Sequence, residues 1–302
     1  MAKKKDFKSC PKKDAHNHLN LGMRYDLYEK WAGFTIPNFP RKLNGLAEMH
    51  EIIAEYTRPR ITTQQDVYDL ITLSVQTAIE DGVTILEGSI DISFIHHCAD
   101  SVDEYLSLVK SVVDKFDKKI DFRPELGVGK TFDFELSKKW VPECIQSGVF
   151  KSIDLYGPEV TEGLEKFQPF FVAAEKVGLK KKAHVGEFSD AQSVKDVVEL
   201  FNLDEIQHGI GAAQDDAIVQ FLIDKQIRLN ICPESNVMLS AVPSLEEHPM
   251  KKMYDAGVNI TIGTDDVLFF NKTVCEQCID LVNLGIFTET QIEDILAKSI
   301  ID

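Results

Sequence analysis

The side chains able to hold a metal ion or move protons fall in four short groups. They are His16 and His18 in DAHNHL, His184 and Glu187 in KAHVGE, His208 in IQHG, and Asp265 and Asp266 in TIGTDD. Each group ends a short apolar run that reads as a β-strand. Three imidazoles and one carboxylate make a ligand set that suits zinc, with iron or manganese as alternatives. Side chains two apart on a strand point the same way, so His16 and His18 can share one ion. His184 alone would be an ordinary hydrogen-bonded core histidine, and Asp265 alone a helix cap. Four such residues at strand ends are harder to attribute to packing. A catalytic ion also needs an open position for water, a group beside that water, and an acid for the substrate. His208 can orient or deprotonate the water. Glu187 leaves its strand end beside the ion. Asp266, by alternation, points away from Asp265, toward the substrate or the next strand; otherwise it caps a helix.

Such groups need a frame that gathers strand ends. Eight β-rich segments can be marked, at about 13–19, 84–91, 121–128, 152–157, 182–187, 205–211, 227–234 and 259–265. Most are followed by a loop and an apolar period near 3.6, as in Val194, Val197, Val198 and Phe201, or Leu164, Phe167, Phe170, Phe171 and Ala174. Strands alternating with helices predict a parallel sheet, and eight of them predict a closed (β/α)8 TIM barrel within one domain of 302 residues. An open doubly wound sheet is the runner-up, but no G-x-G-x-x-G follows the first strand. The connection at 20–83 is long. It carries Leu46, Met49, Ile53 and Tyr56 on one helical face, and Thr63 with Asp66 as a capping box opening a helix through Ile79. A helical lid over the site and an extra packing layer are both compatible with it.

A net charge of −16 argues against a nucleic-acid surface, and the basic KKK at 3–5 reads as a solvated terminus. No apolar stretch is long enough to span a membrane, and no signal-like h-region follows the first lysines. Six scattered cysteines predict reduced thiols and a cytoplasmic enzyme, with Cys275 and Cys278 as two helix residues. Glu87 and Asp91 could line a pocket, although Asp91 reads first as a loop residue. The adjacent His96 and His97 diverge too much for a second metal site.

The pieces H16-N-H18-L, D154-L-Y-G157-P-E159, H184-V-G-E187, H208-G, C232-P-E-S235-N236 and T264-D265-D266 together resemble the adenosine and AMP deaminase family of the amidohydrolase superfamily. The resemblance spans residues 14 to 266. It implies one zinc per chain on His16, His18, His184 and Asp265. It implies Glu187 protonating purine N1, His208 and Asp266 at the attacking hydroxide, Asp266 also at N7, and the Gly157 N–H at N3. Substrate contacts of His18 belong to the same set. Water would attack C6 and ammonia would leave.

The sequence departs from the family pattern on the sugar side. Asn20 stands where the family usually has an Asp for the ribose 5′-hydroxyl, and Tyr156 and Val185 stand where it usually has Ala. The substrate expected is therefore a small aminopurine: adenosine, a modified adenosine, a nucleotide or a free base. Opening of a cyclic amide on the same site is the competing reaction. A non-catalytic ligand-binding barrel is the competing class, disfavoured by the intact ligand set. Oligomeric state is left open.

Overall fold

Short apolar runs pair side by side in chain order. In the computed structural model, which describes residues 6–37, 39–40, 42–160 and 162–301, eight parallel strands form one sheet: β1 (Lys13–Asp14), β2 (Ile85–Asp91), β3 (Asp121–Gly129), β4 (Ser152–Tyr156), β5 (Lys180–Val185), β6 (Glu205–His208), β7 (Arg228–Ile231) and β8 (Ile260–Ile262). The lysine run at 3–5 lies outside the described residues. Main-chain bonds close the seam between β8 and β1. Thr264 and Asp265 both donate to the His16 carbonyl, at 3.1 and 2.8 Å, and the His18 N–H donates to the Asp265 carbonyl at 3.2 Å. The barrel is thus sealed by the segments that carry the metal-type side chains.

Several strands are shorter than the sequence suggested. The first holds regular pairing only at Lys13–Asp14, with single bridges at Asn17 and His18. β4, β5 and β6 stop where the backbone turns left-handed, at Gly157, Gly186 and His208 (φ 107°, 78° and 67°), and three residues beyond β8 the chain turns the same way at Asp265 (φ 58°). These turns throw the chain off the sheet, so Glu187 lies in a loop beyond β5. A non-glycine residue at positive φ costs about 1–2 kcal/mol, and such strain gathers where side-chain direction matters.

Helices cover the outside. After β1 come α1 (Tyr25–Ala32), α2 (Gly45–Ile52) and α3 (Gln64–Glu80). The next units bring α4 (Val102–Phe116), α5 (Phe134–Gln146), α6 (Gln168–Lys176), α7 (Ala191–Phe201) and α8 (Asp216–Asp224). After β7 come α9 (Pro233–Met238) and α10 (Met250–Ala256), and after β8 come α11 (Val267–Phe270), α12 (Val274–Asn283) and α13 (Glu289–Ser299). Val194, Val197, Val198 and Phe201 of α7 are buried as their spacing demanded. Phe171 of α6 stacks on Phe201 at 4.2 Å between ring centroids. The capping box opens α3: the Thr63 side chain accepts from the Asp66 N–H at 3.1 Å and Asp66 accepts from the Thr63 N–H at 2.8 Å.

Of the inserted helices, α3 gives Val67, Ile71, Val75 and Ala78 to the main core, while α1 and α2 pack elsewhere. Leu21, Met23, Tyr28, Ile36, Leu43, Met49 and Leu70 form a second apolar cluster with Met238 and Leu239 beyond β7 and Leu268, Phe269 and Phe270 beyond β8. This layer sits against the segments that follow the strands. At the other end of the barrel lies a buried ion cluster. Lys182 is fully enclosed and meets Glu87, Glu125 and Glu205 at 2.6, 2.8 and 3.5 Å. Glu87 therefore belongs to this cluster and not to the pocket, because its place near the start of β2 is far from the strand ends. Cys275 and Cys278 are buried on α12. His96 pairs with Asp100 at 2.7 Å, and His96 and His97 join no metal-type cluster among the described residues.

Candidate metal centre and active site

Three segments, at the ends of β1, β5 and β8, bring the four sequence-predicted ligands together. The His16 Nε2 lies 3.1 Å from the His184 Nε2 and 3.6 Å from the Asp265 Oδ1, and the His18 Nε2 lies 3.4 Å from that same oxygen. A tetrahedral zinc with ligands at about 2.0–2.1 Å holds its ligand atoms about 3.3 Å apart, so these separations fit one small ion.

The hydrogen bonds around the rings give a stronger reason. The His16 Nδ1 lies 3.2 Å from the Asn230 carbonyl, which can only accept, so that nitrogen carries the proton. The His184 Nδ1 likewise faces the Asp154 Oδ1 at 3.1 Å. Both Nε2 atoms then present bare lone pairs to one another and to the Asp265 carboxylate. Burial holds both rings below the ordinary histidine pKa, so they are neutral. Three electron-rich atoms aimed at one point in a buried place repel unless a cation sits between them. The residues present fit a divalent metal. A second grouping of His16, His208 and Cys232 shares one histidine with the first. Its thiol is pushed far up by burial and by Asp265, which disfavours the thiolate that would bind metal.

Beside this point lie three further titratable groups, Glu187, His208 and Asp266. Burial, then the charges of Asp265 and Glu159, push the Glu187 carboxyl well above the ordinary carboxylate value, which favours its protonated form. Burial keeps His208 neutral, with its Nε2 3.5 Å from the Glu187 Oε2 and 4.0 Å from the Asp265 Oδ2. Burial and the neighbouring Asp265 also push Asp266 up. Asp266 precedes α11 without capping it, and its buried Oδ1 has no partner among the described residues. Asp265 and Asp266 line the same pocket, contrary to strand alternation. The left-handed turn at Asp265 cancels the alternation.

The pocket over these groups has a volume of about 140 Å³. Gly157 lines it, and its φ of 107° is one that only glycine adopts at ease. Asn20 and His18 line it too, as do Leu46, Met49 and Ile53 from the inserted segment. Asp91 also faces the pocket and accepts a hydrogen bond from the Tyr156 hydroxyl, so it is more than a loop residue. Val185 is buried in the main core, because it alternates with His184 along β5 and faces the helices.

Sequence reasoning left five residues of this site without roles. Asp154 orients His184, as described. Ser235 donates to the Asp265 Oδ2 at 2.6 Å. Asn236 touches both Glu187 and His208, at 2.8 and 3.1 Å. Glu159 accepts four main-chain N–H groups, from Gly186 through Ser189. These four stand inside the recognised motifs, so position alone could have flagged them. His248 stands outside every motif.

Known proteins share both the sequence and the shape. The family model described as "Adenosine deaminase" matches residues 11–301. A protein of Treponema pallidum named putative adenosine/adenine deaminase is 52% identical over 291 residues, covering 96% of this chain and 97% of its own. An adenine deaminase structure from Arthrobacter aurescens superposes with a TM-score of 0.83 at 22% identity, covering 97% of this chain and 93% of that one. A zinc-bound amidohydrolase structure from Burkholderia ambifaria gives 0.82 at 19% identity, covering 98% and 86%. A match that runs from before His16 to past Asp266 leaves no part of the barrel outside it: the chain belongs to the adenosine deaminase family.

Proposed function

We propose that this protein hydrolyses the exocyclic amine of an aminopurine, adenosine in the first instance, to the 6-oxo purine and ammonia. The observation that carries this reading is the pairing, in one pocket, of converging bare imidazole nitrogens with a carboxyl group whose protonated form burial favours. Attack on an aromatic C–N centre needs both a strong nucleophile and a protonated ring nitrogen. One zinc ion per chain, held by His16, His18, His184 and Asp265, would supply an activated water at neutral pH. Glu187 then gives its proton to purine N1. His208 stands at the attacking oxygen. Asp266, with one oxygen free of partners among the described residues, has an acceptor or donor to offer the water or N7. The flat Gly157 turn lets the purine edge approach the main chain. The inserted segment at 20–83 would act as a lid within a single barrel domain, closing Leu46, Met49 and Ile53 over the ring.

A second reading, free adenine as substrate, is favoured by the pocket volume of about 140 Å³. Sites for drug-sized ligands run at about 300–1,000 Å³, and a nucleoside would need the lid to yield. The test is ammonia release by zinc-loaded protein against adenine, adenosine, 5′-deoxyadenosine, AMP and N6-methylated analogues. Release from none of them would overturn the aminopurine reading.

A further inference from the structure

His248 lies between α9 and α10, outside the pocket, and is only 4% exposed. Its two ring nitrogens have different partners. The Met250 main-chain N–H donates to its Nδ1 at 3.1 Å. A main-chain N–H can only donate, so Nδ1 is bare and the neutral ring carries its proton on Nε2. Burial lowers the pKa of this ring to about 3, so it is neutral at working pH. The Nε2–H faces Asn236 at 3.1 Å and must meet an oxygen there. That fixes which way the Asn236 amide points. Its NH₂ is left to face Glu187 Oε1 at 2.8 Å and His208 Nδ1 at 3.1 Å. Two hydrogens serve two acceptors.

We infer that His248 is a positioning residue which, through Asn236, sets the proton positions of both His208 and Glu187. His208 accepts at Nδ1, so its neutral ring carries the proton on Nε2, the nitrogen that faces the site. It is therefore a donor to the attacking oxygen and not the base that takes the water's proton. Glu187 accepts at Oε1, so a proton on its carboxyl is confined to Oε2, the oxygen nearer His208. The chain of constraint runs from one main-chain N–H, through two side chains, to the two groups that handle the proton. This inference rests on the proposed deaminase reading for the meaning of those protons, but the tautomers themselves do not depend on it.

The test is long-range ¹H–¹⁵N correlation NMR of ¹⁵N-histidine-labelled, zinc-loaded full-length protein, with steady-state kinetics on adenosine in parallel. Wild type should show His208 in the Nε2–H form. In Asn236→Asp the carboxylate still accepts from His248 but has no hydrogen for His208, so the His208 proton should move to Nδ1. His248→Leu frees the amide to turn, and should give mixed His208 tautomers and a kcat lower by roughly 10- to 100-fold, as loss of an orienting partner typically costs, with KM little changed. His248→Gln keeps a donor toward Asn236 and should restore the Nε2–H form and most of kcat. If His248→Leu does not fold, His248→Phe takes its place beside Asn236→Asp. An unmixed Nε2–H form of His208 with wild-type kcat in a folded His248 variant lacking the donor also overturns the inference. An Nδ1–H form of His208 in wild type, or an unmoved Nε2–H form in Asn236→Asp, overturns the inference. Correct tautomers with no ammonia released from any purine would leave it standing and overturn the deaminase reading instead.

Discussion

Glu159 holds Glu187 by its main chain: the Glu159 Oε1 accepts from the Glu187 N–H at 2.7 Å, while its Oε2 accepts from Gly186, Phe188 and Ser189 at 3.1, 3.1 and 2.7 Å. The proposed acid stands on a loop, and a carboxylate from the neighbouring strand's exit pins that loop.

Glu159→Gln should separate positioning from folding. The amide oxygen can replace Oε2, but the amide nitrogen then faces the Glu187 N–H, donor against donor. A lost hydrogen bond to a charged group costs about 1.5–3 kcal/mol. The variant should unfold at lower urea by that amount and lose kcat more than it raises KM. Unchanged kcat with lowered stability would mean that the loop's anchoring has no bearing on Glu187.

The acid role of Glu187 predicts a pH dependence. Burial raises its pKa, so the proton is present below that raised value and is lost as pH climbs through it. The kcat profile should fall on the alkaline side for this reason. Glu187→Gln should fold, bind metal, lose about 10²–10⁴-fold in kcat and lack that alkaline limb. A loss below tenfold would assign Glu187 a structural role.

Metal binding is best tested with two variants. His16→Ala removes a ligand in an extended stretch. Asp265 sits at φ 58°, where asparagine is tolerated and alanine is strained by about 1–2 kcal/mol, so Asp265→Asn is the cleaner change. Both should lose zinc by elemental analysis and lose activity together. Full metal content in both would remove the ligand assignment.

The metal-type side chains were legible from the sequence because strand ends concentrate them at recognisable spacings. The barrel was legible because strand and helix periods alternate. Alternation failed at Asp265 and Asp266, where a left-handed residue redirects the chain, and no period signals such a turn. Glu87 was misread because a strand residue's type does not say which end of the barrel it faces. His248 was invisible because its partner Asn236 lies across a loop with no period of its own. The contact exists only once α9 and α10 are packed.

His248 also makes a stability prediction. Its folded pKa of about 3 lies below the ordinary 6.5, so the unfolded chain binds its proton more readily. Its contribution to stability is present above pH 6.5 and drains away as pH falls from 6.5 toward 3, at up to about 1.4 kcal/mol per pH unit. Urea melts across pH 4–7 should show His248→Gln losing less stability on acidification than wild type. Parallel slopes for the two proteins would mean that His248 is protonated or exposed in the native state.

The last prediction concerns the sugar. Asn20 lines the pocket where the family usually has a charged ribose contact, and Tyr156, hydrogen-bonded to Asp91, fills space that alanine would leave open. Binding energy should therefore come from the purine ring more than from the 5′-hydroxyl. 5′-Deoxyadenosine should keep kcat/KM within roughly tenfold of adenosine, a difference of ~1.4 kcal/mol in transition-state binding. Asn20→Asp should shift preference toward adenosine, because a carboxylate accepts a hydroxyl hydrogen bond more strongly than an amide. Tyr156→Ala should enlarge the pocket and favour nucleosides over free adenine. If 5′-deoxyadenosine is turned over hundreds of times less well than adenosine, Asn20 holds the 5′-hydroxyl as the aspartate does in its relatives, and the pocket discriminates by sugar after all.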